Sequence, residues 1–245
     1  MKAIVFVDVQ KDFIDGALRN EQAIAVTPKI VEFAKKCVAD PDCKLYATRD
    51  THEATKYFPN DKFDMTKLED FCKDPNSFNE KPLIKTGYLA TLEGQRLQKE
   101  HCIEGTDGWM IDNRLMDVFF AGYAKDETCA EDTERLIYNC TFVNKPTFGS
   151  FDLAEIIDED FNETYQYVEK LHCKVKCLPK TDKKLDEIII CGFVSSICVV
   201  ANAILLRAKF PNVKITVMKD LCAGTTIENH EAALKVMQSC QIDIA

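Results

Sequence analysis

The stretch "EIIICGFVSSICVVANAILL", residues 187 to 206, joins an apolar run to a helical pattern through a short bend of small residues. The run 187 to 194 is rich in β-branched residues and does not alternate with polar ones, which is typical of a strand buried on both faces. The pattern at 196 to 209 indicates a helix. Cys198 therefore stands where a helix opens directly after a buried strand.

Similar strand and helix patterns recur along the chain. Further strands are predicted at "KAIVFVDV" (2 to 9), "KLYATRD" (44 to 50), "YNCTFVNK" (138 to 145) and "VKITVMKD" (213 to 220). Helices are predicted at 228 to 239 and at 27 to 40, with Thr27 as N-cap and Pro28 as the first helical residue. Because strands alternate with helices, the expected fold is a three-layer α/β/α structure with a doubly wound, mainly parallel, Rossmann-like sheet.

Composition and charge limit the classes of partner. With 245 residues, 46% hydrophobic and 29% charged, the chain suits a single domain over residues 1–245, and we interpret 53–136 as insertions over the site. The formal charge of -9 and the scattered lysines leave no basic surface for nucleic acid. No apolar run approaches the ~20 residues that span a bilayer. We therefore expect neither nucleic-acid nor membrane partners.

The start of the chain and its cysteines predict a cytoplasmic protein. Met1 leads directly into "KAIVFVDVQ", where Asp8 interrupts the apolar segment too early for a signal peptide. The twelve cysteines are irregularly spaced, which favours reduced thiols in core positions over a disulfide framework.

Polar residues close four of the predicted strands. Asp8, Asp50 and Lys145 end three of them, and the bend before Cys198 ends the fourth. Open α/β sheets bind ligands at the carboxyl ends of their strands. These four positions are therefore expected to meet on one rim.

Cys198 is a candidate nucleophile because free N–H groups at a helix start favour a thiolate and can hold an oxyanion. Asp8, an acid in an apolar strand, is either a salt-bridge or capping residue or a general base for the thiol proton. Lys145 can pair with Asp8, depress its pKa and favour the thiolate. The three residues together form an activated-nucleophile set.

A metal site is the second candidate. Asp50 and His52 are two residues apart, so in an extended segment their side chains point to the same side. His101 can complete a two-histidine, one-carboxylate site with open positions. The alternative for each histidine is an ordinary surface or core role, which we assign to His172 and His230.

Six motifs in order resemble the isochorismatase-like cysteine hydrolase superfamily, in particular its nicotinamidase/pyrazinamidase branch. They are "VFVDVQKDFIDGAL", "ATRDTH", "HCIEGT", "VNKPTFGSF", "GFVSSICV" and "KDLCAGT". The resemblance implies a catalytic triad and ligands for one divalent metal ion, commonly Zn2+, with Fe2+ or Mn2+ also suited. By position, the triad is Asp8, Lys145 and Cys198, and the metal ligands are Asp50, His52 and His101.

The resemblance also implies an activity. A cis peptide between Phe193 and Val194 is expected to aim the Val194 N–H, with that of Cys198, at an oxyanion. Phe13 is expected to form an aromatic wall of the substrate pocket. The implied reaction hydrolyses nicotinamide to nicotinate and ammonia through a thioester on Cys198, a step of NAD metabolism.

Three positions depart from the pattern of the branch. Thr51 and Gln98 stand where nicotinamidases usually carry tryptophan, and Ile197 replaces an aromatic residue before the nucleophile. The substrate pocket is therefore expected to hold a planar ring less completely. The alternatives are a hydrolase of another small amide or ureido compound, and a non-catalytic sensor of a small ligand. Because relatives are often dimers or larger, the resemblance also implies a homo-oligomer.

Overall fold

A six-stranded, entirely parallel sheet forms the centre of the protein. The computed structural model describes residues 1–52, 101–125, 134–168 and 173–245. In spatial order the strands are β10 (Asp243–Ile244), β9 (Lys214–Ala223), β8 (Glu187–Phe193), β1 (Lys2–Val7), β2 (Cys43–Asp50) and β5 (Cys140–Lys145). The predicted α/β fold with its doubly wound parallel sheet is confirmed.

Helices connect and flank the strands, and two antiparallel hairpins lie outside the sheet. The helices are α1 (Lys11–Ile14), α2 (Glu21–Ala39), α3 (Asn113–Phe119), α4 (Phe151–Phe161), α5 (Val200–Lys209) and α6 (Ile227–Ser239), and a π-helical turn (Ser195–Val199) precedes α5. The hairpins are β3 (Phe120–Lys125) with β4 (Glu134–Tyr138), and β6 (Thr164–Val168) with β7 (Cys173–Cys177). Among the described residues, no helix combines the length and apolar character that crossing a membrane requires.

Strand β1 is the centre of the core. Its residues from Ala3 to Val7 are at most 1% exposed, as expected for a strand covered on both faces. Its neighbour β8 carries Gly192 with a φ of +121°, and a side chain there would collide with the backbone of Val7, whose nitrogen would lie 2.7 Å from the added Cβ. Glycine therefore permits the close approach of β8 to β1 just before the strands end.

The predicted start of the second helix is wrong. Helix α2 begins at Glu21, where the Asn20 side chain accepts hydrogen bonds from two backbone N–H groups. Thr27 is a fully buried residue inside this helix, and its hydroxyl donates to the carbonyl of Ala23 at 2.6 Å. Pro28 also lies inside the helix. Tertiary packing of the face that carries Thr27 extends the helix across the proline.

The segment interpreted as insertions is only partly described, since 53–100 and 126–133 lie outside the described residues. Its described part includes α3, whose Leu115 and Phe119 are fully buried. The ring of Phe119 lies edge-on to that of Phe6 in β1, with 5.2 Å between the centroids. This helix therefore contributes to the main core.

Candidate active site

Asp8 lies fully buried directly after β1, with a positive φ of 49°. Its backbone N–H donates to the hydroxyl of Thr48 at 3.1 Å, and that hydroxyl donates to Asp8 Oδ1 at 2.6 Å. The other carboxylate oxygen, Oδ2, pairs with Lys145 Nζ at 2.7 Å. Thr48 of β2 and Lys145 of β5, two strands on the same flank of β1, therefore hold the carboxylate.

The pKa of Asp8 is raised above its ordinary value. Burial is the main cause and the Asp50 carboxylate adds to it, while the Lys145 ammonium offsets only part of the rise. Lys145 lowers this pKa, as expected, but desolvation of the fully buried carboxylate outweighs the ion pair. A carboxylate with a raised pKa is the better proton acceptor.

Lys145 connects the parts of the site. Its ammonium lies 2.7 Å from Asp8 Oδ2, 3.6 Å from Cys198 Sγ and 3.6 Å from Asp50 Oδ1, and it donates to the carbonyl of Thr147 at 3.0 Å. Burial alone would lower its pKa, but the two carboxylates and the sulfur raise it. The side chain is 1% exposed and remains positively charged.

Cys198 stands in the π-helical turn after β8, and its side chain is almost completely buried. Burial raises the pKa of the thiol well above its usual range; the Asp8 carboxylate, which is hydrogen-bonded to the thiol, adds to the rise, and Lys145 opposes it. Lys145 favours the thiolate, as expected, but burial outweighs it and favours the protonated thiol. The sulfur keeps its proton, and Asp8 is in place to accept it.

The bend before Cys198 contains the cis peptide bond between Phe193 and Val194. The Val194 carbonyl accepts hydrogen bonds from the backbone N–H groups of Ile197 at 3.0 Å and Val199 at 3.1 Å. Both Val194 and Cys198 line the same cavity. The bend is thus fixed by its own backbone bonds, and the predicted oxyanion role of the two N–H groups stays a prediction.

Asp50, His52 and His101 form a compact cluster in which one potential ligand atom from each lies within 4.8 Å of the others. Both histidine Nε2 atoms lie 3.1 Å from Asp50 Oδ2, and the two rings meet at 5.0 Å between centroids. Burial alone would raise the pKa of Asp50, but the histidine hydrogen bonds and Lys145 outweigh it and lower the pKa. Two imidazoles and a carboxylate suit a divalent transition metal.

Two buried side chains hold the segments that carry this cluster. Gln10 accepts from the Asp50 N–H at 2.7 Å and donates to the carbonyls of Asp50 at 2.9 Å and Trp109 at 2.8 Å. The Asp12 carboxylate accepts from the N–H of Cys102, next to His101, at 2.7 Å. The backbone on either side of the cluster is therefore tied to the segment after β1.

A cavity of about 700 Å³ opens onto both clusters, because Asp50, His101 and Cys198 line it. Phe13 and Ile197, both predicted to contact the substrate, also line this cavity, and that role stays a prediction. The Phe13 ring lies edge-on to His101 at 5.5 Å.

Trp109, the only tryptophan of the chain, does not take the place of the aromatic residues that the branch usually carries at 51, 98 and 197. Trp109 donates its indole N–H to the hydroxyl of Thr51 at 2.9 Å and stacks under the Arg49 guanidinium at 4.2 Å. It is not among the described residues that line the cavity. The predicted position Gln98 lies outside the described residues.

Sequence reasoning missed four buried or partly buried polar residues around the site: Thr48, Gln10, Asn202 and His230. His230, assigned no function above, lies 2.9 Å through Nδ1 from the hydroxyl of Ser195 in the bend before the nucleophile. The "DVQ" spacing was a visible signal for Gln10, since its side chain follows Asp8 by two positions. The other three carry no local sequence signal for this placement.

Comparison with known proteins gives a family match. The family model described as Isochorismatase domain matches residues 119–245. No curated protein sequence matches this chain at a significant level.

Solved structures share the fold over the whole chain. The nicotinamidase/pyrazinamidase of Bacillus subtilis is 19% identical with a TM-score of 0.58, covering 100% of this chain and 98% of that chain. The pyrazinamidase of Pyrococcus horikoshii in complex with zinc is 20% identical, with a TM-score of 0.56 and the same coverage. The yeast nicotinamidase bound to the inhibitor nicotinaldehyde is 19% identical with a TM-score of 0.59, covering 100% and 99% of the two chains.

Proposed function

This chain belongs to the isochorismatase family, and on that premise we propose that it is a metal-containing cysteine amidohydrolase that converts nicotinamide to nicotinate and ammonia. One observation carries the proposal: a buried thiol, a carboxylate and an ammonium meet beside a two-histidine, one-carboxylate cluster in a shared cavity. The likeness to solved nicotinamidases and pyrazinamidases supports the choice of substrate.

Acylation begins with proton transfer from the Cys198 thiol to Asp8, which is hydrogen-bonded to it. The sulfur then attacks the amide carbonyl carbon, and the N–H groups of Val194 and Cys198 stabilise the oxyanion. Asp8 returns the proton to the departing nitrogen as the C–N bond breaks, and ammonia leaves a thioester on Cys198.

In deacylation Asp8 again accepts and returns a proton, and the sulfur becomes the leaving group. Asp8 takes a proton from a water molecule, whose oxygen adds to the thioester carbonyl. The C–S bond breaks, the acid is released, and the proton returns to the sulfur. Lys145 stays charged throughout and stabilises the negative charge on Asp8 and on the sulfur, from 2.7 and 3.6 Å.

Asp50, His52 and His101 are the residues that would hold a divalent ion, most suitably Zn2+. When bound, such an ion supplies a Lewis-acidic position for the ring nitrogen of the substrate or for a water molecule. The zinc complex of the pyrazinamidase from Pyrococcus horikoshii supports this choice. Phe13 provides an apolar wall for a planar ring.

The test is ammonia release from nicotinamide by the purified protein with and without added zinc. Cys198→Ala and Asp8→Asn are expected to lower the rate by at least about 10³-fold, because each removes a group that changes bonding in the reaction. Cys37→Ala is the matched control: this thiol is as buried as that of Cys198, at 5% against 4% exposed, but lies at the end of α2.

A panel of small amides and ureido compounds is assayed in parallel. Ammonia from another amide, with none from nicotinamide, would replace the substrate but keep the mechanism. A wild-type protein that releases ammonia from no member of the panel, with zinc bound, would refute the proposal. Equal loss of activity in Cys37→Ala would show that Cys198→Ala acts through the fold.

A further inference from the structure

Asn202 lies in α5, four residues after Cys198, and is fully buried. Its amide nitrogen donates to the carbonyl of Cys198 at 2.8 Å and to the carbonyl of Phe148 at 3.2 Å. Its amide oxygen accepts from the backbone N–H of Ser150 at 3.0 Å. A buried amide group is costly unless protein hydrogen bonds replace those it makes to water. These three hydrogen bonds therefore fix the position of the Asn202 side chain.

The three hydrogen bonds join two segments that are distant in sequence. One is the turn that carries Cys198. The other is the loop 146–150 after β5, in which the carbonyl of Thr147 accepts from Lys145 Nζ at 3.0 Å and Phe148 lines the cavity. Asn202 thus connects the backbone of Cys198 to the loop that orients the Lys145 ammonium.

The loop also packs closely against α5 at Gly149. A Cβ added at Gly149 would lie 2.7 Å from Leu205 Cδ1 and 3.4 Å from Ala201 Cβ, both in α5. The loop backbone therefore lies close to α5 at this point, and a side chain at position 149 would require the end of the Leu205 side chain to shift. This contact is a second observation for the same junction, made from the loop side.

We propose that Asn202 is a positioning residue that locks the Cys198 turn to the loop 146–150 and thereby sets the distance between the sulfur and the Lys145 ammonium. The inference rests on the proposed function, since it gives that sulfur a catalytic role. Loss of the lock frees the Thr147 carbonyl to move, and Lys145 then loses one of its oriented partners. Displacement of a reacting group by about 1 Å can cost on the order of 10²-fold in rate.

The experiment measures three quantities for each variant: the melting temperature, kcat and KM for ammonia release, and the rate at which iodoacetamide alkylates Cys198. The alkylation rate comes from peptide mass spectrometry, with Cys191, a fully buried thiol in β8, as internal reference for general opening. The variants are Asn202→Ala, Asn202→Ser and Gly149→Ala. Serine can still donate to the carbonyl four residues before it but cannot span to the loop.

Thr27→Val is the matched control, because it removes one buried hydrogen bond to a helix carbonyl in α2, away from the site. All variants are expected to melt at lower temperature. Thr27→Val is expected to keep kcat and the Cys198 alkylation rate, whereas Asn202→Ala is expected to lower kcat and slow Cys198 alkylation relative to Cys191, each by about tenfold or more. Asn202→Ser and Gly149→Ala are expected to fall between Asn202→Ala and wild type.

Each result decides the inference. Variants of Asn202 and Gly149 that alkylate Cys198 at the wild-type rate, with kcat unchanged and stability lowered as in Thr27→Val, would overturn it and leave a structural residue. Faster alkylation of Cys191 and Cys198 together would overturn it in favour of general loosening. If Asn202→Ala does not fold, Asn202→Ser and Gly149→Ala give the answer. If wild type releases no ammonia, the proposed function fails, while the alkylation rates still test the lock.

Discussion

At the scale of single residues, the chemistry of the candidate site depends on a carboxylate that is completely shielded from solvent. Asp8 is fully buried, and its two oxygens are held by different strands, one by Thr48 and one by Lys145. Burial raises the pKa of Asp8, which makes it a competent proton acceptor but also makes every lost hydrogen bond expensive.

Thr48→Val tests the hydrogen bond to Asp8 with almost no change in shape. The variant removes a hydroxyl that donates to Oδ1 at 2.6 Å, so the free energy of unfolding should fall by about 1–3 kcal/mol. Ammonia release should fall as well, because the carboxylate is no longer fixed beside the sulfur. Urea unfolding and the ammonia assay check the two expectations.

Thr216→Val is the matched control for this prediction. Thr216 is a buried threonine of β9 that donates to Glu187 at 2.7 Å, outside the cavity. It should lose stability but keep activity. Thr48→Val with unchanged activity would show that Asp8 needs no support from this hydroxyl.

At the scale of elements, a charged network fastens α4 to the sheet. Asp160 near the end of α4 accepts from the hydroxyl of Tyr46 at 2.7 Å and pairs with Lys44 at 2.9 Å, both in β2, and with Lys180 at 3.0 Å. Burial alone would raise the pKa of Asp160, but the two ammonium groups and the hydroxyl outweigh it and lower the pKa. The network therefore stabilises the fold when Asp160 is ionised.

The stability from Asp160 should depend on pH in a defined direction. Because its pKa is lower in the folded protein than the ordinary value of 3.8, the contribution is complete above that value and disappears as the pH falls through the folded pKa. Asp160→Asn should lower the free energy of unfolding by roughly 2–3 kcal/mol at pH 7.

Urea unfolding of Asp160→Asn and wild type at pH 7 and near pH 3 measures this dependence. The difference between the two proteins should shrink at the lower pH, because protonation removes the same charge from wild type. Asp158→Asn is a suitable control on the same helix, since Asp158 pairs with Lys209 nearer the surface. A difference that stays constant with pH would contradict the assigned ion pairs.

At the scale of the whole molecule, the cavity joins groups contributed by separate regions of the chain. Asp50 ends β2, His101 begins the next described segment, and Cys198 follows β8. Since a metal on Asp50, His52 and His101 would tie two of these regions together, it would stabilise the folded state through its binding free energy.

Metal removal should therefore lower the melting temperature, and zinc should restore it. Stabilisation reaches about 2.7 kcal/mol when the free metal is at 100 times its dissociation constant. Asp50→Asn and His52→Ala should abolish both the zinc content and the shift, whereas His230→Ala should keep them because His230 lies outside the cluster. Elemental analysis and thermal unfolding give the two readouts, and equal zinc content in His52→Ala and wild type would contradict the assigned ligands.

The sequence by itself determined the parallel α/β fold and the residues that close its strands. Apolar β-branched runs and helical periodicity are local signals, and parallel strands carry the residues at their carboxyl ends to one edge. Asp8, Asp50, Lys145 and Cys198 could therefore be grouped from the order of the strands alone. The junctions that hold this group together have no such local signal.

Only the tertiary structure decided how those residues behave. The pKa directions of Asp8 and Cys198 follow from burial, which depends on every layer that covers the sheet. The neighbouring charge of Lys145 acts in the expected direction on both groups, but burial outweighs it. Helix α2 begins at Glu21 and not after Thr27, because Asn20 caps it and core packing of the face with Thr27 continues the helix across Pro28. Likewise, the hydrogen bonds of the Asn202 amide to Phe148 and Ser150 depend on a loop that is distant in sequence.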